Sequence, residues 1–325
     1  MKEYSLIIDG GTTNTRFTLL DRDTVISRTI CKVGASSADS SGANEQLKKA
    51  VKDKIAALKE QFDCAITDIY ASGMITSNAG LFELAHIEAP ASLKALYRGI
   101  RTISMPEICE DGVFHFIPGI RFHNQPGIGI DMMRGEEVEI FGALKQEDEA
   151  KALLFLHFGS HNKLMFYRDE NIQNSITTIG GELLWAILNH TILKSSAGEL
   201  PEAFDLDEEY VKAGFKETEK NNISRSMFQG RIRQVVGKAG KEQVLSYICG
   251  AVMYTDLQAF IPLLEQRADK CILYGREAFI QTFLICLPLL EFKIPRFKIE
   301  IIPYEESEWL SFKGVQKIRR YMQDK

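Results

Sequence analysis

An internal echo constrains this chain more than any other feature. An apolar run at Tyr4–Ile8 meets the turn Asp9-Gly10-Gly11-Thr12-Thr13-Asn14-Thr15-Arg16 and returns as the apolar run Phe17–Leu20. About halfway along, Ala152–His157 meets Phe158-Gly159-Ser160-His161-Asn162 and returns over Lys163–Tyr167. Each reads as a strand, a polar glycine turn and a returning strand. A third strand follows each pair, at Thr24–Cys31 and at Asn171–Ile179. The two copies share negligible sequence identity, so what repeats is architecture, which implies a duplicated α/β domain. A length of 325 residues accommodates two such domains, and we divide them at 1–148 and 149–325.

The elements between the hairpins fit this plan. Gly34–Gly42 reads as a loop, and Leu47, Val51, Ile55 and Leu58 give a helical period over Asn44–Phe62. Ile66–Ala71 is a buried strand running into Ser72-Gly73-Met74, a glycine turn of the kind that faces a ligand in α/β sheets. Val113–Ile117 is a further strand, a glycine-containing loop reaches Asp131, and Glu136, Glu137, Ile140, Phe141 and Leu144 mark an amphipathic helix. In the second half a helix spans Glu182–Leu193 and residues 206–264 read as mostly helical. Cys271–Tyr274 is a strand ending at Gly275, followed by a helix through Leu290, a strand at Phe297–Ile302 and a final amphipathic helix over Glu305–Met322.

Several function classes are disfavoured. A net charge of -5, with no basic stripe interleaved with aromatics, provides no footprint for nucleic acid. No apolar run approaches the ~20 residues that span a bilayer, and Met1-Lys2-Glu3 leads straight into a strand, so the expected location is the cytoplasm, without a membrane partner. Cys31, Cys64, Cys109, Cys249, Cys271 and Cys286 are widely spaced and form no Cys-x-x-Cys pair, as expected of buried free thiols.

The turns carry the chemistry. Adjacent glycines let backbone amides approach an anion such as a phosphate, and an acid at the strand end is placed to hold hydrated magnesium against it, although such turns also simply close hairpins. A Walker loop is absent, since Gly240-Lys241 is followed by Glu242, and Gly127-x-Gly129 fails as a dinucleotide fingerprint because Met132 stands at the third glycine. Two glycine hairpins facing each other across a cleft could instead grip a nucleoside triphosphate. Phosphoryl transfer to an alcohol also needs a carboxylate near the hydroxyl. Asp131 is the candidate, placed at the junction of a loop and a helix whose N-terminus favours its anion, with a plain N-cap as the alternative. Arg134 could bind a substrate carboxylate or pair with Glu137. His161 is a phosphate contact or a solvated turn residue, His157 a hydrogen-bonded core histidine, and Gly275 a resting place for adenine or ribose or a mere helix start.

These motifs together resemble the 2-dehydro-3-deoxygalactonokinase family, within the superfamily of acetate and sugar kinases, actin and heat-shock chaperone ATPases. The resemblance covers nearly the whole length. Asp9–Arg16 is similar to the family's first phosphate loop, which usually has tryptophan where Gly10 stands, and Ser72-Gly73-Met74-Ile75-Thr76-Ser77 to its Cys-Gly-Met-Val-Gly-Ser segment, followed by Pro90-Ala91. Ile117-Pro118-Gly119-Ile120 and Asp131-Met132-Met133-Arg134-Gly135-Glu136-Glu137 are the most specific matches. Gly159-Ser160-His161-Asn162-Lys163 resembles the second phosphate loop, Gly-Thr-His-Ser-Lys, and Gly181-Glu182-Leu183 with His190 resembles the helix after it.

The resemblance implies two actin-like ATPase (ribonuclease H-like) domains with a cleft between them. The first would bind sugar and the second nucleotide, with the final helix packing back on the first. It implies ATP and magnesium as cofactors, with Asp9 organising the metal and Asp131 acting as the base. Gly11, Thr12, Thr13, Asn14, Gly159, Ser160 and His161 would hold phosphates. Gly275 would lie near adenosine, and Arg16, Ser72, Gly73, Met74 and Arg134 near the substrate. The acceptor would be the primary hydroxyl of a small 2-keto-3-deoxy sugar acid, and a homodimer is one assembly open to the chain. Departures from the family bear on the substrate: Leu84-Ala85-His86 stands for Ala-Pro-Tyr, Asn78-Ala79-Gly80-Leu81 for a Gln-Gly-Trp-like stretch, and Ile248–Val252 only loosely matches Ser-Gly-Leu-Leu. A kinase for another sugar acid and a non-catalytic nucleotide sensor are the alternatives.

Overall fold

The computed structural model describes residues 2–35, 43–125, 127–148, 150–198, 201, 204–290 and 296–323. Most of the expected loop at Gly34–Gly42 lies outside the described residues. The first half comprises β1 (Lys2–Gly10), β2 (Thr15–Asp21), β3 (Thr24–Cys31), α1 (Ala43–Phe62), β4 (Cys64–Gly73), β5 (Ile87–Glu88), β6 (Ala91–Ser92), α2 (Leu93–Gly99), β7 (Arg101–Ser104), β8 (Val113–Phe116), β9 (Ile120–Gln125), β10 (Gly129–Met133) and α3 (Glu136–Ala143). The second comprises β11 (Leu153–Phe158), β12 (Asn162–Arg168), β13 (Asn171–Thr178), α4 (Gly180–His190), α5 (Lys194–Ala197), α6 (Glu208–Val235), α7 (Lys241–Leu264), β14 (Lys270–Gly275), α8 (Glu277–Cys286), β15 (Lys298–Ile301), α9 (Tyr304–Ser307) and α10 (Leu310–Gln323).

The echo in the sequence is an echo in the sheets. One sheet runs β3-β2-β1-β4-β8-β7 and the other β6-β13-β12-β11-β14-β15. In each, the first strand of the hairpin pairs antiparallel with its partner and parallel with a later strand, β1 with β4 and β11 with β14. Both parallel strands end in a glycine at positive φ, Gly73 at 78° and Gly275 at 109°. A Cβ on Gly73 would collide with the carbonyl oxygen of Gly10, and one on Gly275 with that of Phe158. Only glycine allows the two strand ends to approach this closely.

The middles of both central strands, Leu6–Ile8 and Leu153–Leu156, are continuously apolar because both of their faces are covered. Leu6 and Ile8 of β1 pack with Leu47, Val51, Ile55 and Leu58 of α1. Leu154 and Leu156 of β11 pack with α7 and α8 through Ile248, Leu257 and Phe283. The opposite faces, carrying Ile7 from β1 and Leu153 and Phe155 from β11, meet in a shared middle cluster closed by Val138 and Phe141 of α3 and by Leu310, Val315 and Ile318 of α10. There α3 and α10 touch backbone to backbone: a Cβ on Gly142 would strike the carbonyl of Leu310, and one on Gly314 that of Val138.

Four differences from the sequence reading have local causes. The expected loop before Asp131 is largely the ribbon β9–β10, which forms a separate three-stranded sheet with β5. The strands β5, β6 and β7 hold two to four residues each, too few to register as a period. The final helix is broken into α9 and α10, where Arg28 donates to the carbonyl of Glu308 and lies 4.1 Å from the centre of the Trp309 ring. Contrary to the expectation that no apolar run is long enough to span a bilayer, α7 is long and apolar enough by length and composition. Its apolar window is 72% buried inside the protein, which accounts for its composition. All six cysteines are free, and five of them are buried.

Candidate active site

The carboxyl ends of β1 and β4 face those of β11 and β14 across a cavity of about 860 Å³, the usual place for a ligand in α/β architecture. Asp9, Gly11, Thr12, Thr13, Asn14 and Arg16 line it from the first hairpin, and Gly159, Ser160 and His161 from the second. Gly73, Met74, Asp131, Arg134 and Gly275 complete the set of expected residues along its wall. Ser72 is not brought to the cavity: it is fully buried beneath it, and its hydroxyl has no hydrogen-bond partner.

The first loop is braced by its own neighbourhood. The Gly11 amide donates to the Asn14 carbonyl at 2.8 Å, the Ala35 amide to the Gly11 carbonyl at 3.1 Å, and the Thr15 hydroxyl to the Val33 carbonyl at 2.7 Å. Asp9 sits 3.4 Å from Arg16, which also reaches Glu308 at 3.5 Å. Burial pushes the Asp9 carboxyl above its usual range, partly offset by Arg16.

The second loop is braced from the core. Asn162 donates to the Asp256 carboxylate at 2.7 Å and accepts from the Gly159 amide at 3.3 Å. Asp256 projects from α7, and burial raises its pKa to about 6 despite hydrogen bonds from Asn162 and Thr178. The pair Gly180-Gly181 at the start of α4 also keeps this loop close: a Cβ on Gly180 would strike Asp256, and one on Gly181 the carbonyl of Gly159. His161 lies 3.3 Å from Glu182. His157, expected to be hydrogen-bonded, instead stacks on Tyr274 with ring centres 5.0 Å apart, and its Nδ1 has no partner. Burial holds its pKa below the usual value, with Glu136 opposing.

Asp131 departs most from expectation. It lies within β10, not at a helix N-terminus. The N-cap of α3 is Gly135 at φ 117°, and its amide donates to both Glu137 oxygens, at 2.9 and 2.8 Å. What holds the Asp131 carboxylate is the Met132 amide on Oδ1 at 2.7 Å and the Thr177 hydroxyl of β13 on Oδ2 at 3.1 Å. Arg134 makes no ion pair with Glu137. Its Nη1 donates to the carbonyl and hydroxyl of Thr76 and its Nη2 to the Leu84 carbonyl at 2.9 Å, with the His86 ring 3.1 Å away. Arg134 thereby holds the segment 76–86 as one wall of the cleft. Burial, with Arg134 next in effect, pushes His86 down to about 4, so its ring is neutral at pH 7.

Sequence reasoning missed a polar floor. Lys163, 4% exposed, donates to the Met132 carbonyl at 2.9 Å and lies 3.4 Å from Glu136. Burial would raise the Glu136 carboxyl, but Lys163, His157 and backbone amides more than offset that and hold it below its ordinary value. Glu139 goes the other way: burial, then Glu136 and Asp9, push it well up, and its Oε2 has no partner. The available signal was the helical spacing of Glu136 and Glu139, which puts them on neighbouring turns of one face. Charge on a helix face normally reads as solvated.

A family model described as 2-keto-3-deoxy-galactonokinase matches residues 9–301. A 2-dehydro-3-deoxygalactonokinase of Escherichia coli strain K12 is 24% identical over 249 residues, which are 76% of this chain and 77% of that one. A solved structure from Sinorhizobium meliloti, proposed to be a 2-dehydro-3-deoxygalactonokinase, superposes with a TM-score of 0.76 at 20% identity over 98% of this chain and 99% of that one. A reductive activator for a corrinoid, iron-sulfur protein superposes at 0.52 with 13% identity, over 99% of this chain and 62% of that one. The shared feature is the fold, two actin-like ATPase (ribonuclease H-like) sheets flanking a cleft.

Proposed function

The chain belongs to the 2-keto-3-deoxy-galactonokinase family, and from that premise we propose that it transfers the γ-phosphoryl group of ATP to the 6-hydroxyl of 2-dehydro-3-deoxy-D-galactonate. The observation that carries the reading is the convergence of Asp131 and both glycine hairpins on one cavity. The loops Gly11–Asn14 and Gly159–His161 hold the phosphates through the amides and side chains that the bracing bonds of Gly11 and Gly159 leave facing the cavity, and Gly275 leaves room for adenosine. The Asp131 carboxylate accepts the proton of the 6-hydroxyl as its oxygen attacks the γ-phosphorus, and ADP leaves with the former bridging oxygen. Gly73, Met74 and the wall held by Arg134 shape the sugar-acid end, while Arg16 reaches it from beside Asp9.

The residues present fit a magnesium ion. Asp9 faces the cavity with a carboxyl that burial pushes up, and the nearby Glu139 Oε2 is buried without a partner, a pairing that a divalent cation would relieve. Among the described residues no cluster of three or more His, Cys, Asp or Glu side chains is placed to hold a metal alone. This suits magnesium, which keeps waters and phosphate oxygens as most of its ligands. When bound, the ion supplies charge neutralisation at the phosphates.

We read 1–148 and 149–325 as the two domains that close on substrate and exclude water. The test is ADP release from ATP–magnesium with 2-keto-3-deoxygalactonate against a control without sugar. Sugar-dependent release is expected, and Asp131→Asn lowers kcat by roughly 10²–10⁴-fold. Wild-type turnover by Asp131→Asn overturns the base assignment. The neutral His86 on the cleft wall, where the family usually has tyrosine, favours a second reading, a different sugar acid as preferred acceptor. Comparing kcat/KM across a panel of sugar acids decides between them.

A further inference from the structure

Lys163 and Thr177 face each other as register partners on β12 and β13. Both cross from the second sheet to the segment that carries Asp131. Thr177 donates to Asp131 Oδ2 at 3.1 Å, while Lys163 donates to the carbonyl of the next residue, Met132, at 2.9 Å and pairs with Glu136 at 3.4 Å. On its other side β10 is held by β9, with Asp131 opposite Phe122 and Met132 opposite Arg121, whereas the side chains of Ile130 and Met132 are 75% and 62% exposed, so Lys163 and Thr177 supply the side-chain ties to the second sheet. Lys163 is itself one residue beyond Asn162, which secures the second phosphate loop.

We propose that Lys163 and Thr177 are positioning residues that clamp the Asp131 strand to the second phosphate-loop hairpin, so that base and phosphate cradle keep one spacing whatever the rest of the first half does. This deepens the kinase reading and rests on Asp131 being the base. A base must stand within about 2.6–3.2 Å of the proton it takes, and an error of about 1 Å in placement can cost 10²-fold. The clamp should therefore act on turnover and not on nucleotide affinity. Thr177 supplies the cleaner half of the test, because removing its hydroxyl leaves no charge stranded in the core.

The experiment compares Thr177→Val, Thr177→Ser and Lys163→Met with Asp131→Asn, and places Thr177→Val in the Asp131→Asn background. The expected result is a kcat about tenfold lower in Thr177→Val, with KM for ATP and Tm unchanged, and rescue by Thr177→Ser. In the Asp131→Asn background, Thr177→Val should add nothing, since its effect runs through the missing carboxylate. Lys163→Met should lower kcat in the same sense; if it fails to fold, the Thr177 variants decide alone. Wild-type kcat in Thr177→Val, beside an inactive Asp131→Asn, overturns the clamp and spares the base. An equal loss from Thr177→Val in both backgrounds also overturns it. Wild-type turnover in Asp131→Asn overturns the base assignment, and the clamp with it.

Discussion

The two glycine hairpins have the same backbone plan and opposite electrostatics. Two residues before its turn glycine the first carries Asp9, register partner of Arg16, and the second carries His157, register partner of Lys163. An acid–base pair thus stands at one loop and two nitrogen bases at the other. The bracing differs too, since the first loop is tied by its own flanking backbone and the second by a buried acid reaching up from α7. The backbone plan is shared, and under the proposed function the side chains at matched positions differ in their work, the first loop serving the metal as well as phosphate and the second phosphate alone.

That division can be broken at matched positions. Asp9→Asn has the largest expected effect: kcat falls roughly 10²-fold or more and the response to added magnesium weakens, read by ADP release across a magnesium titration. An unchanged magnesium response would return both loops to equivalence. Gly73→Ala and Gly275→Ala test the shared backbone. Each forces a side chain into positive φ against a carbonyl, so each should cost about 1–3 kcal/mol in denaturant unfolding; a large cost at one position only would mean that the copies are not equivalent there. Asn162→Ala removes the link between Asp256 and the Gly159 amide and should raise KM for ATP roughly tenfold, with a smaller effect on KM for the sugar acid.

The smallest effect is on pH dependence. Because folding raises the Asp256 pKa to about 6 from an ordinary value of 3.8, the folded state keeps a proton that the unfolded state has lost. The stability this group contributes is complete below about pH 4 and declines as pH rises through 6. Chemical denaturation at pH 4.5, 6 and 8 should show that slope in the wild type and a shallower one in Asp256→Asn.

The hairpins, their third strands and the apolar central strands were legible because each is a local period closed by glycine. The position of Asp131 was not. A glycine-rich stretch reads as a loop, and only pairing with β9 turns it into a strand. The bracing acid was equally hidden, since Asp256 is 94 residues from Asn162 and sits in a helix that otherwise reads as plain core. Glu136, Glu139 and Lys163 were visible as residues. Their burial depends on the second half folding over the first, which no local pattern reports.

The contact of α10 with α3 also bears on how the chain is made. Val315 and Ile318 complete the cluster that holds Ile7, Leu20 and Tyr70. The first half of the polypeptide therefore leaves the ribosome with that face of its sheet only partly covered, by α3. At ordinary rates of synthesis that face waits roughly tens of seconds for its last helix.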